Sequence, residues 1–323
     1  MSEPYQLSIH RRAKPGLLAS SARLPHPPRP TPDHPLIISA SELMSFLRCR
    51  VQHHWRYQVG LVHPSKNKPQ SIGTLGHIIL DQWYQVPHAK RTTKAMKRIA
   101  KRAIAASLDQ PKHEMNLEDG DRKLIEAMCV GYAEWTQRAN NEYSDTNIGL
   151  VNCAPEEFFD LPLTPNGNIR VRGRLDNQFM PTVHKKTVAL LESKFKGQIR
   201  YDAVENRLQL TVYLWALREK FPKMKRFQAY PQILRKQMPG PRVKADLFWR
   251  DMVERSVEEI DQWKIDTANV ATDMLDGAVY PNPMDSCSYM CDFAVPCQLR
   301  GDKADLKHVL KETFIIKDRG AKQ

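Results

Sequence analysis

With 323 residues, 41% of them hydrophobic, the chain has the apolar material for a sizeable core, which excludes a wholly disordered protein. A formal charge of +13 favours a polyanion as partner, nucleic acid above all, although basic tails also raise a net charge. No uninterrupted run of about 18 apolar residues occurs, and the opening "MSEPYQLSIHRRAKPGLL" lacks the apolar stretch of a signal peptide, so neither a membrane span nor secretion is expected.

Residues 1–35 are rich in Pro, Arg and Ser ("ARLPHPPRPTPDHP") and lack apolar periodicity. They read as a disordered basic arm, either a plain extension or an arm that touches DNA. Order is expected from "ISASELMSFLRCRVQHHWRYQVGL". Ser39 and Glu42 stand at capping-box spacing, and Leu43, Phe46, Leu47 and Val51 follow at helical spacing, with Cys49 on the same helix. A second helix covers "SIGTLGHIILDQWY". A third, "KRTTKAMKRIAKRAIAASLDQ", carries Lys90, Arg91, Lys94, Lys97, Arg98, Lys101 and Arg102. This face is either simply solvated or tracks phosphates. A fourth helix, "DRKLIEAMCVGYAEWTQRAN", holds Cys129 in its apolar pattern as a core thiol.

Three strands in a meander are expected next, "APEEFFDLPL", "NIRVRGRLDNQFM" and "TVALLESKF", separated by turn-forming "TPNGN" and "PTVHKK". Cys153 lies at the start of this region as a buried strand thiol. On the middle strand Ile169, Val171, Gly173 and Leu175 share one face, and Arg170, Arg172, Arg174 and Asp176 the other. An amphipathic helix ("DAVENRLQLTVYLWALREKF"), a strand ("RFQAYPQIL") and a long helix from Phe248 to Leu275 complete the pattern. "FWR" at 248–250 reads as core rather than as a platform for bases. The order implies an α/β fold with a mixed central sheet flanked by helices.

Glu192 and Lys194 lie two apart on one strand, so their side chains leave the same face; Asp176 is on the preceding strand. Two carboxylates converging from adjacent strands suit a hard divalent ion such as Mg²⁺ or Mn²⁺. A lysine beside them can orient water and offset charge developing on a phosphate. A salt bridge at a strand end would use the same residue types. His53 and His54 read as ordinary helix-packing residues.

Asp176, followed by Glu192-Ser193-Lys194 on the next strand, resembles the signature of the PD-(D/E)XK nuclease superfamily. The proline before the aspartate is absent, as in much of the RecB-like branch. "GTLGHIIL" looks like that branch's histidine motif, with His77 in the matching position. "QLTVYLWAL" looks like its Gln-x-x-x-Tyr motif, with Gln209 and Tyr213 sharing a helix face. Glu156 or Glu157 matches an acidic position of some relatives. "ISASELMSFLRC" resembles a first helix that ends in a cysteine. Cys49 with Cys287, Cys291 and Cys297 of "CSYMCDFAVPC" is similar to the one-plus-three cysteine frame of the iron–sulfur members, the AddB-type nuclease domains and the CRISPR-associated RecB-like exonucleases.

The resemblance implies a restriction-endonuclease-like nuclease domain over 36–300 with a helical insertion around 86–145, and a helical tail over 301–323. It implies metal ligands His77, Asp176 and Glu192; a catalytic set of Asp176, Glu192, Lys194, Gln209 and Tyr213; and a [4Fe–4S] cluster on Cys49, Cys287, Cys291 and Cys297 that clips the domain's two ends together. Zinc on the same thiolates, or no ligand at all, are the other readings of the cysteines. DNA contacts are expected from Lys97, Arg98, Lys101, Arg172, Arg174 and Lys196. The implied activity is a Mg²⁺- or Mn²⁺-dependent deoxyribonuclease, an exonuclease on single-stranded ends, in recombination, repair or phage DNA metabolism. The alternative is an inactive DNA-binding scaffold of a recombination or CRISPR-adaptation complex. No GxxxxGK[ST] loop occurs, so any unwinding would come from a partner helicase or recombination protein. Six cysteines and no leader imply a reducing compartment: the cytoplasm, or a host's cytoplasm for a phage protein.

Overall fold

The computed structural model describes residues 30–64, 68–111, 115–138, 140–199, 204–240, 246–276 and 278–317. Most of the expected arm, residues 1–29, lies outside the described residues, as does the end of the tail beyond residue 317. The chain divides into two compact units, one of Met1–Pro64, Asp160–Gly173 and Gln262–Gln323, the other of Ser65–Phe159 and Arg174–Asp261.

The first unit begins with β1 (Leu36–Ile38), which pairs in parallel with β5 (Ile169–Leu175) beside β4 (Glu157–Pro162). β1 was not foreseen, because three residues are too few to show an alternation. Ser39 ends it and caps α1 (Ala40–Arg48), its side-chain oxygen accepting from the Glu42 N–H at 3.2 Å. Glu42 is itself buried, its carboxylate 3.2 Å from His53 Nε2. Cys49 is not inside a helix. It is extended, at the joint between α1 and the short α2 (Arg50–His53), which runs on into a π-turn over His54–Gln58.

The last segment of the chain returns to this first one. After α7 (Val257–Asp276), α8 (Cys287–Met290) and α9 (Ala294–Gln298) lead into α10 (Lys303–Thr313). Val51, Trp55, Val59 and Leu61 share a core with Phe293, Leu306, Leu310 and Phe314. β2 (Leu61–Val62) pairs antiparallel with the terminal β11 (Ile315–Ile316).

The second unit is built on a six-stranded mixed sheet in the order β10–β8–β7–β6–β3, with β9 also paired to β8. These strands are β3 (Cys153–Ala154), β6 (Asn177–Phe179), β7 (Thr187–Lys196), β8 (Arg226–Arg235), β9 (Phe248–Arg250) and β10 (Val253–Arg255). The expected meander keeps its neighbour order but is split between two sheets. Its middle strand breaks at Asp176 into β5 and β6; β5 pairs with β1 and β4, and only β6 reaches β7. The long helix expected from Phe248 is also corrected. Phe248–Arg255 form two short strands on β8, and helix begins only at Val257. Pairing with a distant strand overrides the local helical pattern there.

β7 and β8 are the central parallel pair, and almost every residue of both is buried. Such strands need cover on both faces. One cover is α6 (Val204–Lys220), with Leu210, Leu214, Trp215 and Leu217 buried. The other is a helical layer of α3 (Lys68–Gln85), α4 (Thr93–Leu108) and α5 (Asp119–Trp135). Ile79, Trp83, Met96, Ile125 and Met128 from that layer pack with Ala189, Leu191 and Phe195 of β7. Each of the large aliphatic and aromatic side chains among these contributes roughly 1.5–3 kcal/mol on burial.

Candidate active site

β7 presents Glu192 and Lys194 on one face and Ser193 and Phe195 on the other, by the two-residue period of a strand. Asn177 of β6 stands opposite Leu191 in an antiparallel ladder, so one step back along that register sets Asp176 beside Glu192. The break between β5 and β6 frees Asp176 from pairing, and its Oδ2 accepts the backbone N–H of Ser193 at 3.0 Å. Lys194 Nζ is in contact with Glu192 Oε1, while Glu192 Oε2 is buried with no hydrogen-bond partner.

α3 brings His77 to the same place. Gly76 permits this approach, because a Cβ there would overlap the ring of Phe195. The His77 ring meets the Phe195 edge at 5.4 Å, and its Nδ1 lies 3.8 Å from Asp176 Oδ2. One turn further on is Asp81, which the sequence reading missed; its i+4 spacing from His77 was the available signal. Its Oδ1 accepts from Asn177 Nδ2 at 3.3 Å and from the Glu156 N–H at 3.2 Å. Glu156 pairs with Arg174 at 2.5 Å, and Glu157 is engaged by Lys220 and Gln178. On α6, Gln209 Nε2 donates to the Tyr213 hydroxyl at 2.6 Å.

Burial dominates the electrostatics. It pushes Asp176 up to about 6 against the Ser193 N–H and Lys194, with Glu156 and Asp81 adding to the rise. Burial pushes Glu192 up to about 7, more than Lys194 offsets. Burial works against the Lys194 ammonium, but Glu192 and Asp176 outweigh it and hold its pKa above the usual lysine value. Burial lowers His77, which favours the neutral imidazole that ligates metals. Burial raises the Tyr213 phenol, and the charges of Glu192, Asp176 and Glu156 raise it further, so Tyr213 lies within the field of this cluster.

Of the expected DNA-contacting residues, Lys97, Arg98 and Lys101 are exposed on α4, and Lys196 is exposed at the end of β7. Arg172 and Arg174 are held in ion pairs, with Asp160 at 2.8 Å and Glu156 at 2.5 Å.

None of the six cysteines is in a disulfide. Burial alone drives Cys129 up to about 12, as in a core thiol, and burial drives Cys153 up to about 12 despite two nearby arginines. Cys49, Cys291 and Cys297 lie on the rim of the core shared by the first and last segments. Burial raises Cys291, and the charges of Cys287, Cys49 and Cys297 raise it further. Burial also raises Cys297, which feels Cys49 and Cys287. Each thiol of the C-terminal trio meets a donor: the Met284 N–H at 3.4 Å from Cys287, the Phe293 backbone at Cys291 and Arg300 at Cys297. Among the described residues, no group of three or more His, Cys, Asp or Glu side chains is already arranged to hold a metal ion.

The sequence model of the PD-(D/E)XK nuclease superfamily matches residues 37–298. The chain belongs to the PD-(D/E)XK nuclease superfamily. The mixed sheet flanked by helices agrees with the restriction-endonuclease-like fold of that superfamily, and membership implies phosphodiester hydrolysis. Its members usually use Mg²⁺ or Mn²⁺. Two crystal structures are distantly similar to this PD-(D/E)XK chain. One, from Eubacterium rectale and described as a candidate exonuclease, is 11% identical over 81% of this chain and 87% of its own, with a TM-score of 0.44. The other, SSO0001, is 13% identical over 82% and 86%, with a TM-score of 0.36. At these scores neither likeness bears on function. No curated protein matches the chain significantly. Among the described residues no helix is long and apolar enough to cross a membrane.

Proposed function

We propose that this chain is a metal-dependent deoxyribonuclease of the RecB-like branch, an exonuclease that hydrolyses single-stranded DNA from its ends. The observation that carries the reading is Glu192, a buried carboxylate with one oxygen unpartnered, set beside Asp176 and Lys194. A carboxylate in that setting calls for a cation. Asp176, Glu192 and His77 offer the hard oxygen and imidazole donors that Mg²⁺ or Mn²⁺ accepts, so the residues fit the metal that the superfamily implies. When bound, the ion supplies Lewis-acid activation of the phosphate and neutralises developing charge.

The protein's own groups do the rest. Ser193 holds Asp176 through its backbone N–H. Asp81 braces Asn177 and the Glu156 backbone. Lys194 orients the attacking water and stabilises negative charge on the phosphate oxygens. Gln209 and Tyr213, bonded to one another, orient the strand. Lys97, Arg98, Lys101 and Lys196 attract its phosphates; Arg172 and Arg174 would first have to exchange their present carboxylate partners.

The nuclease domain in this reading is 36–300, with an insertion around 86–145. A [4Fe–4S] cluster on Cys49, Cys287, Cys291 and Cys297 would join its ends, a reading supported by Cys49, Cys291 and Cys297 lying against one core. The setting is recombination, repair or phage DNA metabolism, with unwinding left to a partner helicase.

The test is cleavage of end-labelled single- and double-stranded DNA by anaerobically purified protein with Mn²⁺ or Mg²⁺. Wild type should shorten single strands from the ends. Lys194→Ala should lose at least ~100-fold in kcat and still bind DNA. A Lys194→Ala protein that cuts like wild type would remove Lys194 from catalysis. Folded, metal-loaded wild type that cuts no DNA would favour the scaffold reading.

A further inference from the structure

The face of β7 turned away from Glu192 and Lys194 carries a second polar group, enclosed by the fold. Ser193 stands across the β7–β8 ladder from Gln232, and Gln232 across the β8–β9 ladder from Arg250. The three side chains form one row over three strands. Gln232 Nε2 donates to Ser193 Oγ at 2.7 Å, and Gln232 Oε1 accepts from Arg250 Nε at 3.0 Å and from the Tyr132 hydroxyl at 2.5 Å. Arg250 also donates to Asp145 at 3.1 Å and to the hydroxyls of Tyr132 and Tyr84 at 2.7 and 3.0 Å. The second Asp145 oxygen accepts from Arg91 at 3.3 Å. The side chains of Arg250, Asp145 and Arg91 are 0–2% exposed.

Two guanidinium groups and a carboxylate are an expensive way to fill a core, since apolar residues of similar volume are commonly at least as stable. The row ends at Ser193, the residue between Glu192 and Lys194. The same residue's backbone N–H is the donor that holds Asp176 Oδ2 at 3.0 Å. The peptide that aims a carboxylate into the site on one face is therefore pinned by its side chain on the other. The pin is anchored through Arg250 to the loop residue Asp145, and through Tyr132 and Tyr84 to α5 and α3.

We propose that Ser193, Gln232 and Arg250 are positioning residues of the nuclease site: the row locks the Ser193 peptide, and that peptide fixes Asp176 where it can share a divalent ion with Glu192. None of the three touches substrate. The proposal rests on the nuclease reading for its catalytic consequence, and on the carboxylate pair alone for its consequence in metal binding. Groups one step behind a metal's ligands carry this kind of load because they set the ligands' orientation.

Full-length Ser193→Ala, Gln232→Leu and Gln232→Glu proteins decide it. The measurements are Mn²⁺ binding without DNA, by electron paramagnetic resonance of the free ion; kcat and KM for DNA cleavage; and the thermal midpoint. Ser193→Ala and Gln232→Leu should each weaken Mn²⁺ binding and lower kcat by ~10-fold, with KM for DNA within about twofold. Gln232→Glu keeps the oxygen that Arg250 and Tyr132 donate to, and can accept from the Ser193 hydroxyl. It should recover to within about threefold of wild type. Wild-type Mn²⁺ affinity in folded Ser193→Ala would overturn the proposal. So would a Gln232→Glu protein as impaired as Gln232→Leu, or losses of kcat, KM and thermal midpoint that merely track one another. Should Gln232→Leu fail to fold, the single-oxygen deletion in Ser193→Ala decides. Wild type that binds Mn²⁺ and cleaves nothing would sink the nuclease reading, while the Mn²⁺ arm still decides the row.

Discussion

Glu192 has a side chain only 5% exposed, with one oxygen against Lys194 and the other without a donor. Its pKa rises from the usual 4.5 to about 7, and that of Asp176 from 3.8 to about 6, burial being the main cause of both. A carboxyl group with a raised folded-state pKa binds its proton more tightly folded than unfolded. Its contribution to stability is therefore full below the unfolded pKa and drains away as the pH climbs through the folded value. Metal-free protein should lose stability between about pH 4 and pH 7 on this account. Glu192→Gln, which cannot ionise, should melt close to wild type at pH 5 and several degrees above it at pH 8, in chelator. Thermal melts at the two pH values check this; equal differences at both would mean that Glu192 is not buried in its charged form.

At the scale of elements, α4 gathers its basic residues on an exposed face and buries a stripe of small and apolar ones. Ala95, Met96, Ala100, Ala103 and Ser107 are buried, and Lys94, Lys97, Arg98, Lys101 and Arg102 are exposed at i, i+3, i+4, i+7 and i+8. The helix contains no acidic residue to offset them. A phosphate-tracking role predicts that Lys97→Ala/Lys101→Ala raises KM for DNA several-fold and leaves kcat within about twofold, with the log K against log salt slope shallower by ~1.4 for a single strand. Anisotropy titrations at several salt concentrations measure the slope. An unchanged slope would return these lysines to the solvated surface. The break between β5 and β6 works at this scale too: it takes Asp176 out of the ladder and gives its carboxylate the Ser193 amide instead of a strand partner.

At the scale of the whole molecule, the first and last segments are joined by ordinary packing, whatever the cysteines hold. Trp55 meets Phe293, Phe293 stacks on Phe314, and β2 pairs with β11. Anaerobically purified wild type should carry about four irons per chain and absorb broadly in the visible region. On the cluster reading Cys49→Ala should lose the iron and the absorption, and its far-ultraviolet circular dichroism should stay near wild type if the packing of Trp55, Phe293 and Phe314 is sufficient to hold the segments. Full iron content in Cys49→Ala would remove Cys49 from the site, and zinc without iron in wild type would replace the cluster with a structural zinc.

The sequence by itself determined the local features. The helical periods of α3 to α6, the strand character of β7 and β8, and the alternation that puts Glu192 and Lys194 on one face are all short-range patterns, and short-range patterns are written in residue order. Ser39 was legible as a cap for the same reason. Only the tertiary structure decided what depends on distant partners. Phe248–Arg255 became strands because β8 offered them an edge, and β1 formed because β5 lay alongside. Asp81 joined the candidate site because Asn177 and Glu156 came to it from another part of the chain. The Ser193–Gln232–Arg250 row was invisible for the same reason. Nothing in the local sequence around any of the three announces the other two, and the row exists only once three strands are laid side by side.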